Sequence, residues 1–305
     1  MKLDFVCIGA QKCGTTKLHD IFNNHDLVQL PKKKEAHFFE IDEFYSKGID
    51  YFFSKYNKDF VKNNEVKHGL FNPNLQIDEK YIKRIVDFFP EIKIIFIMRN
   101  PVDRAFSHYK MSKLRGYETN SFVEALRLEK NRLTNPKKNH SGYKTKTIGH
   151  YEKNHFGYIY RGKYLNVLHF LRKNLDKNNF KVILFEDLFS DLDKVVNEVC
   201  DFIDLPKFNY SISKKKSNQS KELRSKLLNN ILFGNSSFIN KFKYIIPYKL
   251  KIYLKEKIRI LNSKNSNQTS KINREIKTIV YNKYFKNEIN NIEYHFNLDL
   301  SKWKY

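Results

Sequence analysis

Short apolar runs alternate with longer stretches in which apolar and polar residues mix at helical spacing. That alternation predicts strands and helices in turn, and so an α/β chain. Leu3 to Gly9 reads as a buried strand ending in glycine, and Thr15 to Asn24 as the helix after it. Asp42 to Lys62, rich in aromatics and lysine, is expected to be helical, as is Asp78 to Phe89, which Pro90 ends. Ile92 to Met98 is apolar except for Lys93, the pattern of an inner strand of a parallel sheet. Arg99-Asn100-Pro101 closes it, and Val102 to Leu114 follows as a helix with proline near its start. Tyr158 to Asn174 predicts another helix, Phe180 to Phe185 a third strand. Asp191 to Ile203 carries Leu192, Val195, Val196, Val199 and Phe202 at helical spacing. Asn135 to Thr147 and Lys214 to Lys221 are polar, lysine-rich loops. The remainder reads as helical, broken near Pro247 and in the Asn/Ser-rich stretch Asn262 to Ser270.

Composition adds limits. The chain has 305 residues, 41% hydrophobic and 15% aromatic, which suffices for a packed core. A single domain over residues 1–305 is expected, with a core over about 1–225 and a helical extension over about 226–305. No apolar run reaches the ~18 residues of a membrane-spanning helix. Met1 to Phe5 runs straight into a strand pattern without the features of a signal peptide, so the expected location is cytoplasmic, with peripheral contact at the inner membrane face left open. Three cysteines, Cys7, Cys13 and Cys200, have neither disulfide nor zinc spacing.

Charge changes the picture more. The net charge is +24, and residues 211–305 hold 21 Lys and Arg against 6 Asp and Glu. A basic surface of this kind suits a polyanionic glycan, a phospholipid head group or a nucleic acid, and also describes a solvated helical face.

The chemistry begins between the first strand and the first helix. Gly9-Ala10-Gln11-Lys12-Cys13-Gly14-Thr15-Thr16 has two glycines separated by four residues. Such a loop turns backbone N–H groups toward a phosphate at a helix N-terminus. A Walker loop puts lysine directly after the last glycine; here that position is Thr15, and the lysine lies inside the loop at Lys12. The second strand ends in Arg99 rather than in a carboxylate that could hold Mg²⁺. The expectation is therefore an anion site built from protein cations, with no metal. The fold class expected is α/β: a P-loop-like central parallel sheet flanked by helices, with a helical, basic C-terminal third.

Gly9 to Leu18 resembles the 5'-phosphosulfate loop of sulfotransferases that use 3'-phosphoadenosine 5'-phosphosulfate (PAPS), closest to the carbohydrate branch that includes the heparan sulfate enzymes and bacterial-type members. Ile95 to Tyr109 is similar to the second element of that family, a strand ending in Arg followed by a helix with Ser. Lys34-Glu35-Ala36-His37-Phe38-Phe39, Arg161-Gly162-Lys163-Tyr164, Val182 to Leu188 and Tyr284 to Trp303 resemble further segments in order. One segment departs: where the heparan-type enzymes carry a charged Ser/Thr-Pro motif, this chain has Gly69-Leu70-Phe71-Asn72-Pro73-Asn74-Leu75, in which only Pro73 and the spacing survive.

The resemblance implies PAPS as co-substrate, PAP as product, and a carbohydrate acceptor that could be polyanionic or lipid-linked; nucleic acid is not expected as a partner. It implies that Lys12 meets the bridging oxygen, and that Gln11, Cys13, Gly14, Thr15, Thr16 and Lys17 complete the 5'-phosphate site. Arg99 and Ser107 are implied to hold the 3'-phosphate, with Lys214, Lys215, Lys216 and Ser217 as a basic loop over it; a plain solvated charge run describes that loop equally well. Glu35 is the implied general base, with His37 as the alternative. Two other classes stay open: a phosphotransferase on a modified P-loop, and a basic module for nucleic acid or membrane.

Overall fold

The computed structural model describes residues 2–56, 60–61, 63, 65–136, 149–210, 221–223, 263–265 and 272–305. Five parallel strands form the central sheet: β1 (Phe5–Gly9), β2 (Val28–Gln29), β3 (Lys67–Phe71), β4 (Lys93–Met98) and β5 (Phe180–Leu184), in the order β2-β3-β1-β4-β5. Every residue of β1 is buried. Its register sets Phe5 opposite Gly69 on one side and Lys93 on the other. A Cβ on Gly69 would lie 2.2 Å from the Phe5 ring, so this position takes glycine for lack of space.

Because the strands are parallel, all their C-terminal ends lie along one edge. The chain leaves β1 toward β3 on one side and returns through β4 on the other. The loop after β1 therefore sits where the strand order reverses, the place where open α/β sheets hold ligands.

Helices cover the sheet: α1 (Thr15–Phe22), α2 (Asp42–Tyr45), α3 (Ile49–Tyr56), α4 (Glu79–Phe88), α5 (Pro101–Leu114), α6 (Phe122–Thr134), α7 (His150–Phe156), α8 (Leu165–Asn174), α9 (Phe185–Ser190) and α10 (Leu192–Phe202). Asn100 starts α5: its side chain accepts from the N–H groups of Val102 and Asp103, and Pro101 fills the first turn. Asp78 and Ser121 cap α4 and α6 in the same way.

The structure corrects several boundaries. The helix expected over Asp42 to Lys62 is two short helices, broken at Gly48, whose φ of +81° ends the first. Tyr158 to Asn174 is a single 3₁₀ turn, Tyr160–Gly162, and then α8. Strands β2 and β3 and helices α6 and α7 lie where the sequence pattern assigned nothing.

In the C-terminal third, Lys214 to Ser217 and the breaks near Pro247 and over Asn262 to Ser270 fall largely or wholly outside the described residues. What is described includes a short antiparallel pair, β6 (Lys221–Leu223) with β7 (Ser263–Asn265). Helix α11 (Arg274–Val280) follows and passes through a π-type turn at Tyr281–Phe285 into α12 (Lys286–Phe296). These helices join the core: Lys277 pairs with Asp103 of α5 at 2.7 Å, and Trp303 is 1% exposed. The Asn100 amide donates to the Trp303 carbonyl at 3.3 Å and to the Tyr305 hydroxyl at 3.0 Å. No described helix is long and apolar enough to cross a membrane.

Candidate active site

The loop between β1 and α1 is fixed by its own backbone. Ala10 N–H donates to Ile97 O of β4 at 2.7 Å, and Cys13 N–H to Ala10 O at 3.2 Å. Gly14 then turns the chain with φ +87°, and an added Cβ would lie 2.8 Å from Leu188 Cδ2. Both the conformation and the space select glycine. No side chain caps α1 and its first turn has no acid, so its leading N–H groups face the loop with their partial positive charge uncompensated. That is the donor set of an anion site.

Lys12 stands at the centre with φ +73°. Burial first, then the charges of Arg115, Arg99 and Lys110, push its pKa down to about 8. Arg99, just past β4, donates to the Lys12 carbonyl at 3.1 Å, and its guanidinium lies 4.2 Å above the Phe185 ring. It pairs with no carboxylate among the described residues, so the strand-end salt bridge that an arginine here could have formed is not made. Arg115, at the end of α5, is a cation the sequence reading passed over. Nothing local marks it; its charge reaches Lys12 only through the fold.

The other loop residues divide in role. The Thr16 hydroxyl accepts from Lys34 at 2.6 Å, which joins the basic loop to the start of α1. Burial lowers the Lys34 pKa, and the charge of Glu35 opposes that. Gln11 reaches Asn154 at 3.4 Å. The Cys13 thiol is buried against the Tyr164 hydroxyl, and burial pushes it up to about 11. With its N–H already given to Ala10, Cys13 shapes the loop. Lys17 points its ammonium at the Phe189 ring, 4.3 Å from the centroid. Ser107 is half-buried on α5 and makes no hydrogen bond among the described residues. Lys214, Lys215, Lys216 and Ser217 lie outside the described residues.

The two residues implied as general base, Glu35 and His37, lie on the loop after β2. Glu35 is half-buried, and its charge favours the cationic forms of Lys34 and Arg161. His37 Nδ1 lies 2.6 Å from Glu40 Oε1, and the Asn72 amide donates to the same oxygen at 2.7 Å. Glu40 is fully buried. A carboxylate there fixes the ring orientation and favours the tautomer with its proton on Nδ1. Glu40 was missed in the sequence; the one signal was its place three residues after His37, in the same aromatic turn. His150 packs near this pair, and burial pushes it down to about 4.

The departing segment has a structural task. Buried Arg161 donates to Asn74 at 3.1 Å, to the Pro73 carbonyl at 2.7 Å and to Asn154 at 2.8 Å. Gln76 returns a bond to the Arg161 carbonyl at 3.3 Å. Asn72 and Asn74 thus hold the loop at Ala36 to Glu40 and the Arg161 turn together. Among the described residues no His, Cys, Asp or Glu cluster suits a metal ion.

Comparisons with known proteins place the chain in a family and a fold. A stretch of 104 residues is 33% identical to heparan sulfate glucosamine 3-O-sulfotransferase 5 of Mus musculus, covering 34% of this chain and 29% of that protein. Another of 118 residues is 30% identical to bifunctional heparan sulfate N-deacetylase/N-sulfotransferase 2 of Homo sapiens, covering 37% of this chain and 13% of that protein. The chain thus spans under a third of the length of these relatives. A sulfotransferase from Alicyclobacillus acidocaldarius has the same fold, with a TM-score of 0.68, 22% identity and 99% of each chain covered. The family model described as sulfotransferase domain matches residues 2–244, so the chain belongs to the sulfotransferase domain family.

Proposed function

We propose that the protein transfers the sulfuryl group of PAPS to a hydroxyl or amine of a carbohydrate acceptor. The observation that carries this reading is the half-buried Lys12 inside a loop whose other partners are Arg99 and an uncapped helix start. The loop fits the donor: glycine at position 14, N–H groups of α1, and cations where a nucleotide hydrolase needs a metal-holding carboxylate. PAPS supplies an activated sulfuryl group, and PAP leaves with both of its phosphates.

The chain's residues then divide the work. Glu35 takes the proton from the acceptor oxygen or nitrogen as that atom bonds to sulfur. Lys12 holds its proton at the bridging oxygen, where negative charge grows as the S–O bond breaks. Arg99 and Ser107 hold the 3'-phosphate, the group that separates this donor from ATP. The His37–Glu40 pair steadies the loop that carries Glu35, and the named relatives supply the carbohydrate as acceptor class. Lys110 and Arg115, close enough to act on Lys12, favour an acceptor that carries acid groups of its own.

Thermal unfolding with PAP, ATP and ADP, each with and without Mg²⁺, tests the donor. PAP at about 100 times its dissociation constant adds roughly 2.7 kcal/mol, a shift on the order of 5 °C. The expected result is a shift with PAP that ignores Mg²⁺. A Mg²⁺-dependent shift with ATP and none with PAP would replace this reading with a phosphotransferase. Transfer of labelled sulfate to acidic and neutral glycans then identifies the acceptor.

A further inference from the structure

The proposed chemistry gives no task to Glu129, a carboxylate on α6 that is 3% exposed. Each of its oxygens accepts one backbone N–H at the start of the Tyr160–Gly162 turn: Oε2 from Ile159 and Oε1 from Tyr160, both at 2.7 Å. Two successive donors on two oxygens suit the ionised form, since a proton on the carboxyl turns one acceptor into a donor. One step earlier, fully buried Arg104 of α5 donates to the Tyr158 carbonyl. The far end of the turn has no slack, because a Cβ on Gly162 would lie 3.1 Å from Pro101 and 3.0 Å from Phe285. The residue seated between these holds is Arg161. Its guanidinium donates to Asn154 Oδ1 at 2.8 Å, and the same oxygen accepts from Gln11, the neighbour of Lys12, at 3.4 Å. Bonded neighbours thus run from Glu129 through the turn, Arg161 and Asn154 to the loop after β1.

We propose that Glu129 is a positioning residue for the donor: its ionised carboxylate seats Arg161, and Arg161, through Asn154, sets the loop that carries Lys12. This inference rests on the sulfotransferase reading above. Burial raises the Glu129 pKa to about 7, against the N–H groups of Ile159 and Tyr160 and the charge of Arg104. Arg104 from α5 and Arg132 from α6, which pairs with Glu118, are charged groups that act on it, while the Tyr158 hydroxyl is turned to Glu118 at 3.0 Å. The hold on the turn is therefore complete above about pH 7 and loosens below it. Glutamine, of the same shape and uncharged, stands in for the protonated form.

The test is calorimetric titration of the full chain with PAP at pH 8 and at pH 6, for wild type, Glu129→Gln and Glu129→Asp; equal melting temperatures check the fold. Glu129→Gln should weaken PAP roughly tenfold where the hold is complete, the worth of one charge-assisted hydrogen bond. With titration near 7, the ratio of variant to wild-type dissociation constants is then about ninefold at pH 8 and about twofold at pH 6. That ratio cancels the titration of Lys12 and of the PAP phosphates, which both proteins share. Glu129→Asp keeps the charge but falls short of the two N–H groups, and should also weaken PAP at pH 8. Charge alone has the opposite sign: a carboxylate repels PAP, so its removal without a change of position tightens binding. Equal or tighter PAP binding at pH 8 in either variant overturns the positioning role and leaves the donor reading standing. A loss of the same size at pH 6 and pH 8 in Glu129→Gln also overturns it, since the carboxylate's charge would then play no part. A wild-type chain that binds no PAP overturns the donor reading itself.

Discussion

Lys12 gives the site a pH dependence with a defined sign. Its folded pKa is down at about 8, by burial first and then by Arg115, Arg99 and Lys110. A phosphate at the loop binds the protonated form, so affinity is full below that value and is lost above it. For a single titrating lysine the apparent dissociation constant scales as one plus the ratio of neutral to charged lysine. That factor rises from about 1.1 at pH 7 to about 11 at pH 9, so PAP should bind roughly tenfold more weakly at pH 9. The phosphates of PAP do not confuse the window, because their second ionisation lies near pH 6. The folded chain behaves in the opposite sense. Between the folded value of about 8 and the ordinary 10.5, the unfolded chain binds more protons, so Lys12 opposes folding less as pH rises. The assay is titration calorimetry with PAP at several pH values, for wild type and Lys12→Arg, whose guanidinium does not titrate here. The wild type should weaken across the window and the variant should stay level. A flat wild-type profile from pH 7 to 9, or the same slope in Lys12→Arg, would refute the placement of this ammonium on the bound anion.

Three further outcomes are expected. Glu35→Gln should reduce turnover on the order of 10²-fold or more while PAP affinity is unchanged; kcat and PAP titration checked together decide it, and full turnover would transfer the base role to His37. Glu40→Gln should lower kcat less, but by more than it alters PAP binding, because it removes the carboxylate that His37 and Asn72 share; a purely structural Glu40 would instead lower the melting temperature and leave kcat per folded molecule intact. Trp303→Ala should cost about 3–5 kcal/mol in urea unfolding, since the ring is 1% exposed and packs at a tilt against Tyr164; a loss under 1 kcal/mol would show that the chain end is not part of the core.

The parts legible in the sequence are those held by neighbours in the chain. The loop between β1 and α1, Arg99 and the cap of α5 lie within a few residues of one another or of one strand end, and local pattern suffices to place them. Strand β3 was not legible, because Lys67-His68-Gly69-Leu70-Phe71 neither alternates nor runs apolar. Its glycine answers to the Phe5 ring on another strand. Glu40, and the buried partners of Arg161, were hidden for the same reason. Asn72 and Pro73 lie 32 and 88 residues from Glu40 and Arg161, and a buried charge is explained only by what the fold brings to it. The departing segment at Asn72-Pro73-Asn74 has a task that only the fold reveals: its two asparagines tie together loops from three regions.

The crowd of cations around Lys12 has a consequence for turnover. On the proposed chemistry, the group that departs to the acceptor carries little of the charge that the loop, Arg99 and Lys12 grip. The spent nucleotide keeps both phosphates and therefore nearly all of its anchors. Such a pocket discriminates poorly between fresh and used donor, and its throughput is governed by how quickly the used one escapes. Any phosphate or sulfate in the medium competes for the same anchors, so buffer choice becomes a kinetic variable.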